Sequence, residues 1–185
     1  MQYWSKSVLS IYRYLETLTR AIDGLVKKNS GITYGYGYNS TYTLTSKLLK
    51  WTEKKRKMIN LKVVTEDALR SLPSVYKRIL ILYYIDGVKS SLIAELIGVS
   101  IRTYYRKKKA ALDKFAVNLA KMGFDLEYLK ENYSNEKWLM RVYNSCVERD
   151  SVPEETPLIQ ENKTIIKSII NDLKHIKGTP LTLYA

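Results

Sequence analysis

Between Lys89 and Phe115 the chain reads KSSLIAELIGVSIRTYYRKKKAALDKF, and the side chains fit for specific polar chemistry gather in its second half. Arg102, Arg106, Lys107, Lys108 and Lys109 crowd one predicted helix, giving it a cationic face where a phosphate backbone would lie. The spacing around them is that of two short helices joined by a tight turn. Leu92, Ile93, Leu96 and Ile97 recur at helical spacing, and Ala94 is small enough for a second helix to approach closely. Gly98 supplies a residue that accepts positive φ, Val99 is expected to plug the core, and Ser100 to cap the next helix. Tyr104 then stands where an apolar group must bridge back to the first helix. The chemistry this predicts is recognition of a polyanion by a helix-turn-helix; a plain helical hairpin inside a bundle is the alternative.

Catalytic and metal chemistry find little to work with. His175 is the one histidine, on a helix with Ile169, Ile170 and Leu173, and the one cysteine, Cys146, reads as a buried small hydrophobe. No Cys/His cluster suits zinc, and no phosphate-cradling glycine loop precedes a Lys-Ser/Thr pair. Gly35 and Gly37 begin a dinucleotide-binding pattern, but Ser40 occupies the third glycine position and no βαβ pattern surrounds it. Glu154 and Glu155 sit in a proline-bounded stretch. The expectation is therefore no enzyme, no cofactor and no metal.

The charge is informative. The 185 residues carry a formal charge of +13, and the pI is near 9.6. Residues 44–115 hold 17 Lys and Arg against six Asp and Glu, a surplus of eleven. A polyanionic partner follows, with a generally basic, solvated surface as the bland alternative. A single cysteine excludes an internal disulfide framework, no stretch approaches a membrane span of about 18 apolar residues, and Trp4, Ser5 and Lys6 do not open a secretory signal. These features predict a soluble cytoplasmic protein.

The elements that must position the motif are helical. Trp4, Val8, Ile11, Leu15, Leu18, Ile22 and Leu25 form a three-four stripe over Tyr3 to Lys28, which either docks on the body or pairs with a second copy. Asn29 to Thr43, rich in Gly, Tyr, Ser and Thr, reads as a linker. Leu44 to Leu61 predicts a helix with Leu44, Leu48, Trp51 and Met58 on one face and the run Glu53 to Lys57 across the others, either solvated or facing phosphate. Thr65 is placed to cap a short helix to Leu72. Ser74 to Ile85 comes next, with Val75, Ile79, Leu80, Leu82 and Tyr83 as its buried set, and Asp86-Gly87 as its stop. Past Phe115 the motif's second helix is expected to run to Met122, with Gly123 ending it. Amphipathic helices are predicted over Asp125–Asn132 and Ser134–Glu148, then a linker over Arg149–Pro157. A last stripe from Ile159 to Ile176 is either docked or a partner-binding arm, with Gly178 its expected stop. The domain reading is 1–43, an N-terminal helix and linker; 44–122, the basic domain; 123–150, a helical extension; and 151–185, a linker and C-terminal helix.

From Ala68 to Phe115 the chain resembles region 4 of the sigma-70 family. Leu69, Leu72 and Pro73 match the entry to its first helix, and Tyr83, Tyr84, Asp86 and Gly87 the end of the second. Ile93, Ala94, Gly98, Val99, Ser100, Thr103, Ala111 and Leu112 match the helix-turn-helix and its extension. The resemblance implies an all-α, multi-helix fold with that motif at its centre and helical N- and C-terminal extensions. It also implies that Ser100, Ile101, Arg102, Tyr105, Arg106 and Lys109 face the major groove of DNA. Helical geometry places the same set opposite Tyr104, Ala111 and Leu112. Arg102 and Arg106 suit paired hydrogen bonds to guanine, Tyr105 or Ile101 a thymine methyl, and Lys107, Lys108 and Lys114 phosphates. Lys107 departs from the family pattern, in which an apolar residue is common, and its aliphatic stem is expected to lie along the core.

Sigma factors also carry region 2, which binds the polymerase clamp and melts DNA, and no stretch here reads as that region. The layout is similar to phage-encoded ArpU- or RinA-type regulators of Gram-positive bacteria. The expected function is a sequence-specific DNA-binding transcription regulator; the alternative is a sigma factor-like interaction protein that binds RNA polymerase or a regulator, with DNA contact secondary. Double-stranded DNA is the expected partner, with RNA polymerase and a homodimer left open and no membrane.

Overall fold

A helix whose apolar residues repeat every third or fourth position must cover one face, and this chain meets that need by wrapping several such helices around its first. The structure, a computed structural model, describes residues 1–30, 41–149 and 158–177. Among them there is no strand. The helices are α1 (Gln2–Ser30), α2 (Thr41–Arg70), α3 (Ser74–Leu80), α4 (Ser90–Leu96), α5 (Ile101–Lys121), α6 (Leu126–Tyr133), α7 (Lys137–Arg149) and α8 (Leu158–Lys174), with a π-type turn over Ile81–Ile85 extending α3. The all-α expectation, with helical extensions on both sides of the motif, holds.

The α1 stripe settles its own alternatives. Trp4, Val8, Ile11, Leu15, Leu18 and Ile22 are 0–4% exposed, covered by Trp51, Met58 and Leu61 of α2, Phe115 and Leu119 of α5, Trp138 and Val142 of α7, and Ile169 and Leu173 of α8 in one continuous core. Uncovering those six side chains to pair with a second copy would cost on the order of 10 kcal/mol. The seam is therefore internal, and the expectation that it could pair two copies is corrected. The C-terminal helix docks as well. Trp51 Nε1 donates to the Leu173 carbonyl at 2.9 Å, and Arg141 of α7 bonds Ser168 and pairs with Asp172 at 2.6 Å.

In α2 two sequence expectations give way. The helix does not break after Leu61; it continues to Arg70, and Thr65, expected as a cap, is buried mid-helix with its hydroxyl donating to the Leu61 carbonyl at 2.6 Å. Three of the four cations in the basic run are also spoken for, Arg56 being left exposed. Lys54 and Lys57 reach the same buried carboxylate, Glu136, at 2.6 and 2.8 Å, and Lys55 pairs with Asp23 at 2.5 Å. Glu136 also accepts from Trp138 Nε1 at 2.9 Å. Burial pushes its carboxyl upward, but the hydrogen bonds from Lys54 and Lys57 outweigh that and hold it below the usual carboxylate range. Lys54 and Lys57 fasten α2 to the α6–α7 corner and Lys55 ties it to α1, rather than facing phosphate.

Other differences are local. The Gly/Tyr-rich linker is shorter than read, because α1 extends to Ser30 and α2 starts at Thr41; the rest of it, Gly31–Ser40, lies outside the described residues. So do residues 150–157, with Glu154 and Glu155, and the expected stop at Gly178. Cys146 is buried against Ser10, and burial pushes its thiol up. No described helix is long and apolar enough to cross a membrane.

Candidate nucleic-acid interface

The motif is assembled by two glycine turns of the same design. At the end of α4, Gly98 takes φ 68°, Val99 N–H reaches the Ala94 carbonyl and Gly98 N–H the Glu95 carbonyl, both at 3.0 Å. This double closure needs a left-handed residue at its centre, which is why glycine stands there. Gly123 repeats it at the end of α5 with φ 81°, its neighbour Phe124 N–H reaching the Leu119 carbonyl at 2.9 Å. Ser100 then caps α5 as expected, its hydroxyl accepting from Thr103 N–H at 3.3 Å.

A small core of Ile79, Ile93, Ala94 and Tyr104 holds α3, α4 and α5 together, with Tyr83, Ile97 and Val99 packed against it. Tyr104 makes the predicted bridge, and Ser90 donates to its hydroxyl at 3.4 Å. Of the set expected to be buried on α3, Ile79 and Leu80 are, Leu82 and Tyr83 are half-buried against the small core, and Val75 is 43% exposed; Tyr84 is buried at 7% in their place, because the π-type turn adds a residue and rotates the positions within and after it. Leu92 and Leu96, at one spacing on α4, are each 48% exposed, so only Ile93 and Ala94 of that stripe are fully covered. The unit is anchored from outside at two helix ends. Arg13 of α1 donates to the Ile85 carbonyl at 3.1 Å, and Asn118 of α5 to the Ala68 carbonyl at 3.1 Å.

Along α5, Tyr104, Lys108, Ala111, Leu112, Phe115 and Leu119 form the buried face. Ser100, Ile101, Arg102, Tyr105, Arg106, Lys109 and Lys114 are exposed, and Lys107 is intermediate. Arg102, Arg106 and Lys109 fall within a narrow arc opposite the buried face, as about 100° per residue requires. Tyr105 lies at its edge, whereas Ile101, 46% exposed, opens the helix in line with the buried stripe.

Lys108 corrects the sequence reading. It is 9% exposed, with its ammonium 3.9 Å from the centre of the Tyr83 ring, 5.1 Å from Tyr105 and 5.7 Å from Tyr104. A side chain enclosed this way is not presented to a phosphate. The aliphatic stem expected along the core belongs to Lys108, one residue after Lys107. The sequence did hold the signal: Lys108 is four residues from both Tyr104 and Leu112, on the line joining two core positions.

The electrostatics divide in space where the sequence showed one basic block. Among the described residues, Lys54, Lys55, Lys57, Lys62 and Arg70 of α2 all pair with carboxylates. Lys77, Arg78, Lys89, Arg102, Arg106, Lys107, Lys109 and Lys114 have no described carboxylate within 4 Å, Lys114 instead lying 5.3 Å from the Tyr76 ring. Arg56 of α2 is also exposed without a described carboxylate partner, but the densest set of uncompensated cations lies on α3, the turn before α4 and α5. No group of three His, Cys, Asp or Glu among the described residues is placed to hold a metal ion.

Fold and site together define a helical protein built around a helix-turn-helix whose second helix presents an uncompensated cationic face. Residues 62–115 match the family model described as Sigma-70, region 4, so the chain carries a sigma-70 region 4-like helix-turn-helix. That family is one of DNA-binding regulatory domains rather than enzymes. The match begins in the second half of α2 and ends within α5 at Phe115. No curated protein and no solved structure matches the chain.

Proposed function

We propose that this is a sequence-specific, DNA-binding transcription regulator that acts without catalysis, laying the N-terminal half of α5 in the major groove. One observation carries the reading: Arg102, Arg106 and Lys109 share the exposed face of a capped helix, opposite its buried stripe and without carboxylate partners among the described residues. Arg102 and Arg106 read guanine through paired hydrogen bonds, Tyr105 or Ile101 contacts a thymine methyl, and Lys107, Lys109 and Lys114 secure phosphates, with Ser100 at the helix entrance. Selection from random duplexes at physiological salt tests this. A shared recovered motif of a few base pairs is expected, and recovery of unrelated sequences would refute sequence-specific readout; the spacing of recovered half-sites also reports whether two copies bind together.

A second reading has its own observation. Leu92 and Leu96 leave an apolar strip on α4 that the core does not use, suited to a protein partner such as RNA polymerase, with DNA contact secondary. Co-purification with polymerase that Leu92→Ser and Leu96→Ser abolish, together with no selected duplex, would favour it. The phage ArpU- or RinA-type regulator is the narrower version of the leading proposal.

A further inference from the structure

Lysine is almost never buried without a partner, because removing an ammonium from water is costly. An apolar side chain would fill position 108, between Tyr104 and Leu112 on the core line of α5, without that cost. The Lys108 ammonium instead lies 3.9 Å from the Tyr83 ring centre on the π-type turn that extends α3. It is also 5.1 Å from Tyr105, the aromatic at the edge of the cationic face. Attraction between a cation and an aromatic ring depends on where the ring lies, which apolar packing does to a much smaller degree. A second contact of the same kind joins the two helices further along, where Lys114 lies 5.3 Å from Tyr76. Tyr76 and Tyr83 are seven residues apart and Lys108 and Lys114 six, so the two contacts clasp α5 against α3 and its extension at separate heights.

Two clasps on one helix resist rotation about its axis. A rotation of about 20° on a helix roughly 5–6 Å in radius moves a surface atom by about 2 Å. Hydrogen bonds of the N–H···O kind tolerate only about 0.5 Å between their usual limits, roughly 2.7 and 3.2 Å. A turn that small would thus cost Arg102 and Arg106 their aim at a base edge while leaving cations near phosphates.

From this geometry we propose that Lys108 is a positioning residue for base readout: held by Tyr83, it fixes the rotational setting of α5 and the orientation of Tyr105, and it does not touch DNA. The inference rests on α5 being the groove helix.

The test uses the full chain with Lys108→Met, which keeps length and apolar bulk without the charge, and Lys108→Arg, which keeps a cation able to stack on the rings. Cooperative thermal unfolding establishes that each variant is folded. Affinity is then measured against the selected duplex and its single-base variants over a range of salt. Lys108→Met is expected to keep the wild-type salt slope while discrimination between the selected and substituted duplexes falls at least fivefold; Lys108→Arg restores most of it. A slope shallower by about 0.9 would show a phosphate contact and overturn the proposal, as would unchanged discrimination. Should Lys108→Met fail to fold, Tyr83→Phe and Tyr83→Leu carry the test. Phe retains the ring and should discriminate as wild type, Leu should reproduce the loss, and equal behaviour of the two overturns the proposal. A wild-type chain that selects no duplex refutes the groove reading and this proposal with it; one that selects a duplex while Lys108→Met discriminates equally refutes this proposal alone.

Discussion

Cations that already have carboxylate partners release no counterions when DNA arrives, and this chain separates the two populations cleanly enough to measure. On the exposed side of α5 stand Arg102, Arg106, Lys107, Lys109 and Lys114, none within 4 Å of a described carboxylate, whereas Lys55 and Lys62 of α2 pair with Asp23 and Glu16. Each phosphate neutralised contributes about 0.9 to the slope of log affinity against log salt. With three to five α5 cations engaged, the slope is about −2.7 to −4.5, a loss of roughly 40- to 500-fold in affinity between about 50 and 200 mM salt. Lys109→Gln should lower that slope by about 0.9, cutting the salt-driven loss by about 3.5-fold. Lys55→Gln and Lys62→Gln should leave it unchanged, their ion pairs lying outside the proposed interface. Fluorescence anisotropy titrations with one labelled duplex at four or five salt concentrations give the slopes directly. Equal reductions for Lys55→Gln and Lys109→Gln would refute the division, and a wild-type slope near zero would refute electrostatic anchoring altogether.

Three other expectations rest on the same geometry. Arg102→Ala or Arg106→Ala should lower discrimination at one base position by about 1–3 kcal/mol, whereas Lys109→Ala weakens all duplexes alike, so uniform losses for all three would sink the readout assignment. Glu136→Ala should cost about 2–4 kcal/mol in urea unfolding at neutral pH, since it strands the buried Trp138 N–H and two lysines that are about a quarter exposed. Because the Glu136 carboxyl is held below its ordinary value in the fold, its contribution is complete above the unfolded value and disappears as pH falls through the folded one; the gap between wild type and variant should therefore close in acid, and a gap independent of pH would contradict the assignment. Gly98→Ala meets no atom within 4 Å, so its cost is backbone strain alone, about 1–2 kcal/mol by calorimetry, and a much larger loss would mean that more than this one turn depends on the glycine.

How far the residues alone carry the reading depends on how local each signal is. The motif, its two glycine turns, the Ser100 cap and the exposed arc of α5 all follow from spacings within about 30 residues, and they stand where expected. Missing are the features set by distant partners. The run from Glu53 to Lys57 looks the same whether it meets solvent, phosphate or carboxylate, and only the approach of Glu136 and Asp23 decides. Thr65 looks like a cap until α2 runs through it, because mid-helix threonine can bond its own preceding turn. Lys108 reads as a phosphate contact only when its charge is weighed above its position on the core line, and the outward turn of Leu92 and Leu96 depends on which side of α4 the helices α3 and α5 occupy.

The Arg13 contact and the buried α1 seam bear on where this protein can be cut. Phe115 and Leu119, on the inner side of α5, complete their burial in the core around α1, and the carbonyl of Ile85 is met by a guanidinium some seventy residues earlier in the chain. A fragment trimmed to residues 62–115 would lose Leu119, leave Phe115 bare and give that carbonyl over to water. The helix-turn-helix unit is thus not a detachable module with helical ornaments; transplanting it, or truncating the first thirty residues to obtain a minimal domain, removes part of its foundation.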